Sequence, residues 1–253
     1  MKVSIVTVCY NSAETIEDTI RSVVSQTYDD IEYIIVDGGS TDNTLKIVDK
    51  YKAHIDVLIS EPDRGIYDAM NKGVEAATGD VVGILNSDDF YETKESVASI
   101  VSEFDDATDI VFGDLVFVNA DNLSKVTRFY SLPKFAPWKL RFGWMPPHPA
   151  TFIRKSSYDK HGLYKLDYKI SADYEMFVRL LLVHKLSFKH VAKTLVRMRD
   201  GGVSTSGIQS SIRLNQEIVK ACLENSIYTN LLFLLTKIPF KLFELVKRPK
   251  NEV

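Results

Sequence analysis

The sequence predicts an α/β chain built on a mostly parallel sheet with flanking helices, followed by a C-terminal helical extension. Three observations carry this. Short β-branched runs alternate with apolar residues at helical spacing through the first hundred positions. The connections between them are short, which calls for parallel strands joined by right-handed crossovers. A polar cluster follows the end of each successive strand, where ligands bind in sheets of this kind.

"VSIVTV" (3–8) is a run of the sort buried on both faces of a parallel sheet. Asn11 and Glu14 then form a capping-box-like start, with Ile16, Ile20, Val23 and Val24 at helical spacing. "YIIV" (33–36) is a second strand, "DGGSTD" a turn, and Leu45, Val48 and Tyr51 mark a helix. "IDVLI" (55–59) is a third strand, Ile66, Met70, Val74 and Ala77 mark the next helix, and "VVGIL" is a fourth strand. After about residue 105 the rhythm changes. "DIVFGDLVFV", "NADN" and "LSKVTRFY" read as a hairpin. Residues 133–149 hold five of the eight prolines and both tryptophans, which predicts irregular chain over the site. "ATFIR" is another strand, and Phe177, Leu180 and Leu181 share one face of a helix around 174–184.

With 253 residues, 45% of them hydrophobic, the chain can bury a full-sized core. A net charge of −3 without a basic stripe gives no sign of nucleic-acid affinity. Cys9 and Cys222 lie far apart and form no CxxC pair, so both read as packed thiols in a reducing compartment. "MKVSIVTVCYN" reads as a strand rather than a signal peptide. No run of about 18 apolar residues suggests a spanning helix. These features point to the cytoplasm.

"GILNSDDF" (83–90) drives a strand straight into an asparagine and two adjacent carboxylates. Asp88 and Asp89 repel unless a cation or water separates them. Two readings are open: a helix start, with Asp satisfying free backbone N–H groups, or a cation site at a strand's carboxyl end. The chain has no GxxxxGK[ST] loop, and the turn after the first strand is "CYNSAET" rather than GxGxxG. A diphosphate bound here must be neutralised in another way. A divalent ion on acidic oxygens is the obvious substitute.

"VSIVTVCYN", "VDGGSTDNT", "EPDRGIYDAMNKG", "GILNSDD" and "ISADYEMFVRL", in this order, resemble family 2 glycosyltransferases with the GT-A fold, a Rossmann-like architecture. The resemblance spans residues 1–205. It implies a nucleotide-sugar-binding half (1–105), an acceptor half (106–205), and residues 206–253 as a helical extension outside it. It further implies that Asp37 accepts from uracil N3–H and that Thr7 and Asn11 line the base and ribose pocket. "NSDD" stands at the family's DxD motif, with Asn86 replacing the first Asp, Asp88 the main ligand of Mn²⁺ or Mg²⁺, and neighbouring Asp89 a second metal residue. Arg64 reaches for the diphosphate or is a solvated loop arginine. Asp173 occupies the position of the general base, with Ala172 where Glu is frequent; the bland reading is a plain N-cap. His148 contacts acceptor or diphosphate, or is a loop imidazole. "RDGGVS" (199–204) resembles a glycine turn that closes over donor phosphates.

The implied activity is inverting, metal-dependent transfer of a sugar from a nucleotide-sugar, UDP-sugars favoured, to a saccharide in cell-surface polysaccharide synthesis. The alternative is a nucleotide-sugar-binding or scaffold protein without chemistry, which the Asn86 and Ala172 departures keep open. A nucleotidyltransferase would need a glycine-rich phosphate loop that "VTVCYNS" does not supply. In residues 226–250, Lys237, Lys241, Glu244 and Arg248 form a narrow polar stripe on an otherwise apolar pattern, which Pro239 interrupts. From Lys237 onward five basic residues face two acidic ones. A wide apolar face with a basic edge predicts attachment to the inner face of the plasma membrane, which suits a lipid-linked acceptor. Packing on the catalytic domain, or a homodimer through these helices, is the other reading.

Overall fold

The computed structural model describes residues 1–201 and 208–237. Its spine is one nine-stranded sheet. β1 (Val3–Cys9), β2 (Ile31–Asp37), β3 (Val57–Ser60) and β4 (Val81–Asn86) run parallel in the order β3-β2-β1-β4. The crossovers between them carry α1 (Ile16–Val24), α2 (Thr44–Lys50) and α3 (Ile66–Ala76), as the alternation predicts.

Every residue of β1 is buried, because both faces of this half of the sheet are covered. Val6 and Val8 pack with Met70 and Val74 of α3, whereas Val3, Ile5 and Cys9 pack with Ile16, Ile20 and Val23 of α1. That split is the period-two alternation of strand side chains. A Cβ on Gly73 would lie 2.2 Å from Val6 Cγ1. Only a residue without a side chain lets α3 come this close to β1. The capping box at Asn11 and Glu14 does not form. The N-cap of α1 is Thr15, with no side-chain cap, and Asn11 serves the neighbouring turn instead.

Beyond β4 the sheet becomes mixed. β5 (Asp89–Tyr91) precedes α4 (Ser96–Val101), and β6 (Ile110–Asn119) and β7 (Asn122–Tyr130) form the expected antiparallel hairpin. β8 (Thr151–Arg154) lies antiparallel between β4 and β6. β9 (Phe188–Arg199) runs parallel to β6 and receives β5 at its outer edge. The sequence reading did not anticipate β9. Its lysines interrupt the apolar alternation that marks a strand, and its pairing with β6 supplies what the pattern lacks.

α5 (Lys155–His161) follows β8. α6 (Ala172–Phe177) runs into a π-helical stretch, Val178–Val183, where the His184 N–H donates to the Arg179 carbonyl. The helix expected around 174–184 therefore starts earlier and changes pitch midway. α7 (Ile208–Glu224) and α8 (Leu231–Leu235) close the described chain. Ile218, Ala221 and Cys222 of α7 join the same buried cluster as Phe177 and Leu180. Both cysteines are buried and free. Lys237, expected on an exposed polar stripe, is buried beside Gly143, while Pro239, Lys241, Glu244 and Arg248 lie outside the described residues. Among the described residues no helix is long and apolar enough to cross a membrane.

Candidate active site

The turns after the parallel strands open into one cleft of about 770 Å³ at the carboxyl edge of the sheet. Its far wall comes from the second half, through His148, Lys169 and Asp173.

At the β1–β2 end, Asn11 adopts a left-handed conformation (φ +48°), which Asn tolerates better than most residues. Its backbone N–H donates to Ser40 Oγ (2.8 Å) and its Oδ1 accepts the Thr41 N–H (2.9 Å), so Asn11 both lines the cleft and pins the facing turn. The expectations for Thr7 and Asp37 are corrected here. Thr7 is fully buried on the Ile5 face of β1, where its Oγ1 accepts from Tyr33 OH (3.1 Å). Asp37 is also fully buried; its carboxylate accepts the Gly39 and Ser40 N–H groups (both 3.1 Å) and Ser60 Oγ (2.8 Å). An Asp that ends a strand readily spends its lone pairs on the turn it starts.

At this end Glu14 and Asp42 line the cleft, and so does Asp63, from the loop after β3. Its Oδ1 accepts the Gly65 N–H (2.8 Å), and its Oδ2 sits 2.3 Å from where a Cβ on Gly38 would be. Tyr10, 62% exposed, stands beside it at the mouth. Sequence reasoning missed both. The available signal was Gly38, a position without a side chain inside an otherwise polar turn. Arg64 does not line the cleft: its guanidinium is 75% exposed and pairs with Asp68 at 2.8 Å, the i,i+4 geometry of a helix start.

At the end of β4, the helix-start reading of "NSDD" fails, because the chain enters β5 and pairs with β9. Asp88 lines the cleft and Asp89 lies in the interior, fully buried. Burial, then the charge of Asp88, pushes the Asp89 pKa well above the usual carboxylate range. Asn86 Nδ2 donates to Asp89 Oδ2 (3.2 Å). Asp89, expected as a second metal ligand, therefore lies behind the cleft lining rather than on it. Desolvation also raises the pKa of Asp88, with nearby Arg199 opposing. Arg199, from the end of β9, donates to the Asp88 carbonyl (2.7 Å), pairs with Asp18, and lies over the Phe90 ring. It locks the loop's backbone and leaves the Asp88 carboxylate to the cleft.

Asn86 Oδ1 and Asp89 Oδ1 are both buried without a partner, and Asn86 and Asp88 both line the cleft. An orphaned amide oxygen and one carboxylate are the hard donors that Mg²⁺ and Mn²⁺ take, with phosphates and water completing the shell. Among the described residues no three His, Cys, Asp or Glu gather to hold a metal, so the protein would supply only part of the shell. The residues fit an ion shared with a diphosphate.

On the far wall, Asp173 is the second residue of α6, and Ser171, not Asp173, is the N-cap. Asp173 Oδ1 accepts the Tyr174 N–H (2.8 Å) and Tyr67 OH (3.4 Å). Burial pushes its pKa up to about 6. His148 is buried against Tyr164 OH (2.8 Å), and desolvation lowers its pKa to about 4, so it meets the cleft as a neutral imidazole. Tyr164 stacks on Tyr67, which joins the two residues mechanically. Lys169, a cation on the same wall, carried no sequence signal. Of the glycine turn, residues 202–204 lie outside the described residues.

The parallel-dominated sheet with a cleft at its carboxyl edge is that of a glycosyltransferase of the GT-A fold. The chain belongs to glycosyl transferase family 2, whose model matches residues 4–162. The match includes Asn86 and Asp88 and ends before Asp173. The PGL/p-HBAD biosynthesis glycosyltransferase of Mycobacterium bovis (strain BCG) is 33% identical over 182 residues, 70% of this chain and 68% of that protein. Staphylococcus aureus TarS 1–349 in complex with UDP-GlcNAc superposes with a TM-score of 0.70 at 20% identity, covering 90% of this chain and 68% of that one. The mannosyltransferase PcManGT of Pyrobaculum calidifontis, with GDP-Man and Mn²⁺, gives 0.65 at 18%, covering 88% and 63%. These two likenesses show the fold.

Proposed function

We propose that this glycosyltransferase is inverting and metal-dependent, and moves a sugar from a UDP-sugar to a lipid-linked saccharide in cell-surface glycan synthesis. One observation carries the reading: a single buried-wall carboxylate, Asp173, with its pKa raised to about 6, shares a cleft with Asp88. A base with that pKa is ionised at neutral pH and close enough to it to take a proton efficiently.

In the proposed reaction Asp173 accepts the proton of the acceptor hydroxyl. The freed oxygen attacks the anomeric carbon from the face opposite the diphosphate, and the carbon–oxygen bond to phosphate breaks. One displacement inverts the anomeric centre. Asn86 and Asp88 would hold the divalent ion, whose charge stabilises the departing diphosphate. The Tyr10 ring offers a stacking surface for the base. Asp63, an acceptor-only carboxylate when ionised, suits the uracil N3–H.

The C-terminal end supports the lipid-linked part of this reading. Leu231, Leu232 and Leu235 of α8 are exposed, next to exposed Tyr228 and Trp138. Phe142 stacks on Phe233 and Trp138 packs edge-on to Phe142, so helix 137–142 and α8 form one apolar patch. Lys139 and Arg141 flank it. An aromatic and leucine surface with basic neighbours suits the interface of an anionic membrane. That would bring the cleft to a lipid-anchored acceptor.

A panel of nucleotide-sugars, scored by release of free nucleoside diphosphate with and without Mn²⁺, tests the function. Release from a UDP-sugar that rises with Mn²⁺ and with added saccharide supports it. Binding of every donor without release would favour the non-catalytic reading.

A further inference from the structure

Glu217 lies on α7, in the C-terminal extension, yet it binds the wall of the cleft. Its Oε1 accepts the Lys169 N–H (3.1 Å), and its Oε2 accepts the N–H groups of Ile170 (2.9 Å) and Ser171 (3.0 Å). Three consecutive backbone donors thus converge on one carboxylate. Lys169 and Ile170 line the cleft, and Ser171 is the N-cap of the helix whose second residue is Asp173. Charge-assisted bonds of this kind are the stronger class, and losing the acceptor would leave three donors without a partner. A second tie runs parallel to it: Asn225, just past α7, donates to Glu175 Oε1 (3.1 Å), and Glu175 is fully buried on α6.

We propose that Glu217 is a positioning residue for the transfer reaction: it fixes the 169–171 segment, and through it the aim of the Asp173 carboxylate, from outside the catalytic half of the chain. This rests on Asp173 being the general base. The groups around Asp173 are Tyr67 from α3, Tyr164 before α6, neutral His148, Lys169 on the same segment, and Glu217 itself. Burial raises the Asp173 pKa, hydrogen bonds from the Tyr174 N–H and Tyr67 OH oppose it, and the negative charge of Glu217 adds a smaller increment upward. Removing it therefore moves that pKa down, toward the unburied value.

Two variants separate charge from geometry. Glu217→Gln keeps the volume and one acceptor oxygen, and Glu217→Ala removes every acceptor. For Glu217→Ala, kcat should fall roughly 10- to 100-fold, the scale that small misplacements of a reacting group produce. KM for the nucleotide-sugar should stay within about twofold, because the donor end of the cleft is built from other turns. In both variants the acid limb of the kcat–pH profile should move to lower pH. The midpoint of the Asp173 carboxyl, followed by ¹³C NMR in the full chain, should move the same way. That titration needs no turnover, so it decides for Glu217 even if no donor is transferred. A parental midpoint in Glu217→Gln, or parental kcat and acid limb in Glu217→Ala, would overturn the proposal, including when the variants only melt at a lower temperature.

Discussion

The Asp63 carboxylate fills the space that a side chain on residue 38 would need, its Oδ2 only 2.3 Å from the missing Gly38 Cβ. Glycine there is a condition for this carboxylate to stand at the base end of the cleft. Gly38→Ala should displace Asp63, whose flexible end gives way, at little cost in stability. UDP affinity, measured by calorimetry, should fall several-fold in Gly38→Ala and at least as far in Asp63→Asn. Parental UDP affinity in both variants would remove Asp63 from the proposed base pocket.

The two neighbouring aspartates should behave differently toward metal. Asp88→Asn should bind UDP with little enhancement by Mn²⁺, because the cleft-facing carboxylate is gone. Asp89→Asn keeps an interior polar group of the same shape and should retain the enhancement. Calorimetry with and without Mn²⁺ reads both. Loss of the Mn²⁺ effect in Asp89→Asn alone would put the ligand on the wrong residue.

Asp173→Asn should cost about 10²-fold or more in turnover, the loss expected for a general base, while UDP binding stays parental. The same raised pKa has a consequence for stability. The folded value, about 6, lies above the unfolded one, so the native state binds the proton more tightly between roughly pH 4 and pH 6. Stability contributed by this group is present at low pH and lost as pH rises through 6. At pH 7.5 the ionised group is therefore a burden that Asn lacks, and the variant should melt about 2–4 °C higher, the shift that about 1 kcal/mol produces in a chain this size. At pH 4 the difference should vanish. A variant that is neither slower nor more stable at pH 7.5 argues against both assignments.

The acid limb of the parental kcat profile should fall with an apparent pKa near 6, again from Asp173. His148, held near 4, should contribute no limb in that range. If His148→Asn abolishes the limb and Asp173→Asn does not, the roles are exchanged.

Leu232→Asp with Leu235→Asp changes two side chains that are each more than half exposed, so the fold should be kept. Burying a leucine is worth roughly 1.5–3 kcal/mol, so co-sedimentation with anionic liposomes at low salt should drop at least about tenfold. UDP binding should not change. A tight parental dimer that the substitutions dissolve, with no liposome binding, would assign the patch to a second subunit.

The alternating pattern from Val3 to Leu85 determined the parallel half of the sheet by itself, because strands buried on both faces must be continuously apolar and their crossovers helical. The placing of Asn11, Asn86 and Asp88 at one cleft was equally legible, since strand order sends the loops after the parallel strands to the same edge, whereas His148 and Asp173 were expected there only from the family resemblance. What the tertiary structure alone decided was which side of the backbone each polar group faces. Thr7 and Asp37 sit one register position from the cleft and were drawn into the interior by Tyr33, Ser60 and the turn amides. Asp89 was turned inward when β5 paired with β9, a strand whose lysines hide its pattern. Arg64 pairs with Asp68 one helical turn away instead of lining the cleft. Asp63 and Glu217 are invisible from the chain: one depends on an absent side chain 25 positions earlier, the other on a helix folding back 46 to 48 positions to meet three amides. Local pattern encodes burial and period, whereas a contact between distant polar groups exists only once the intervening elements have packed.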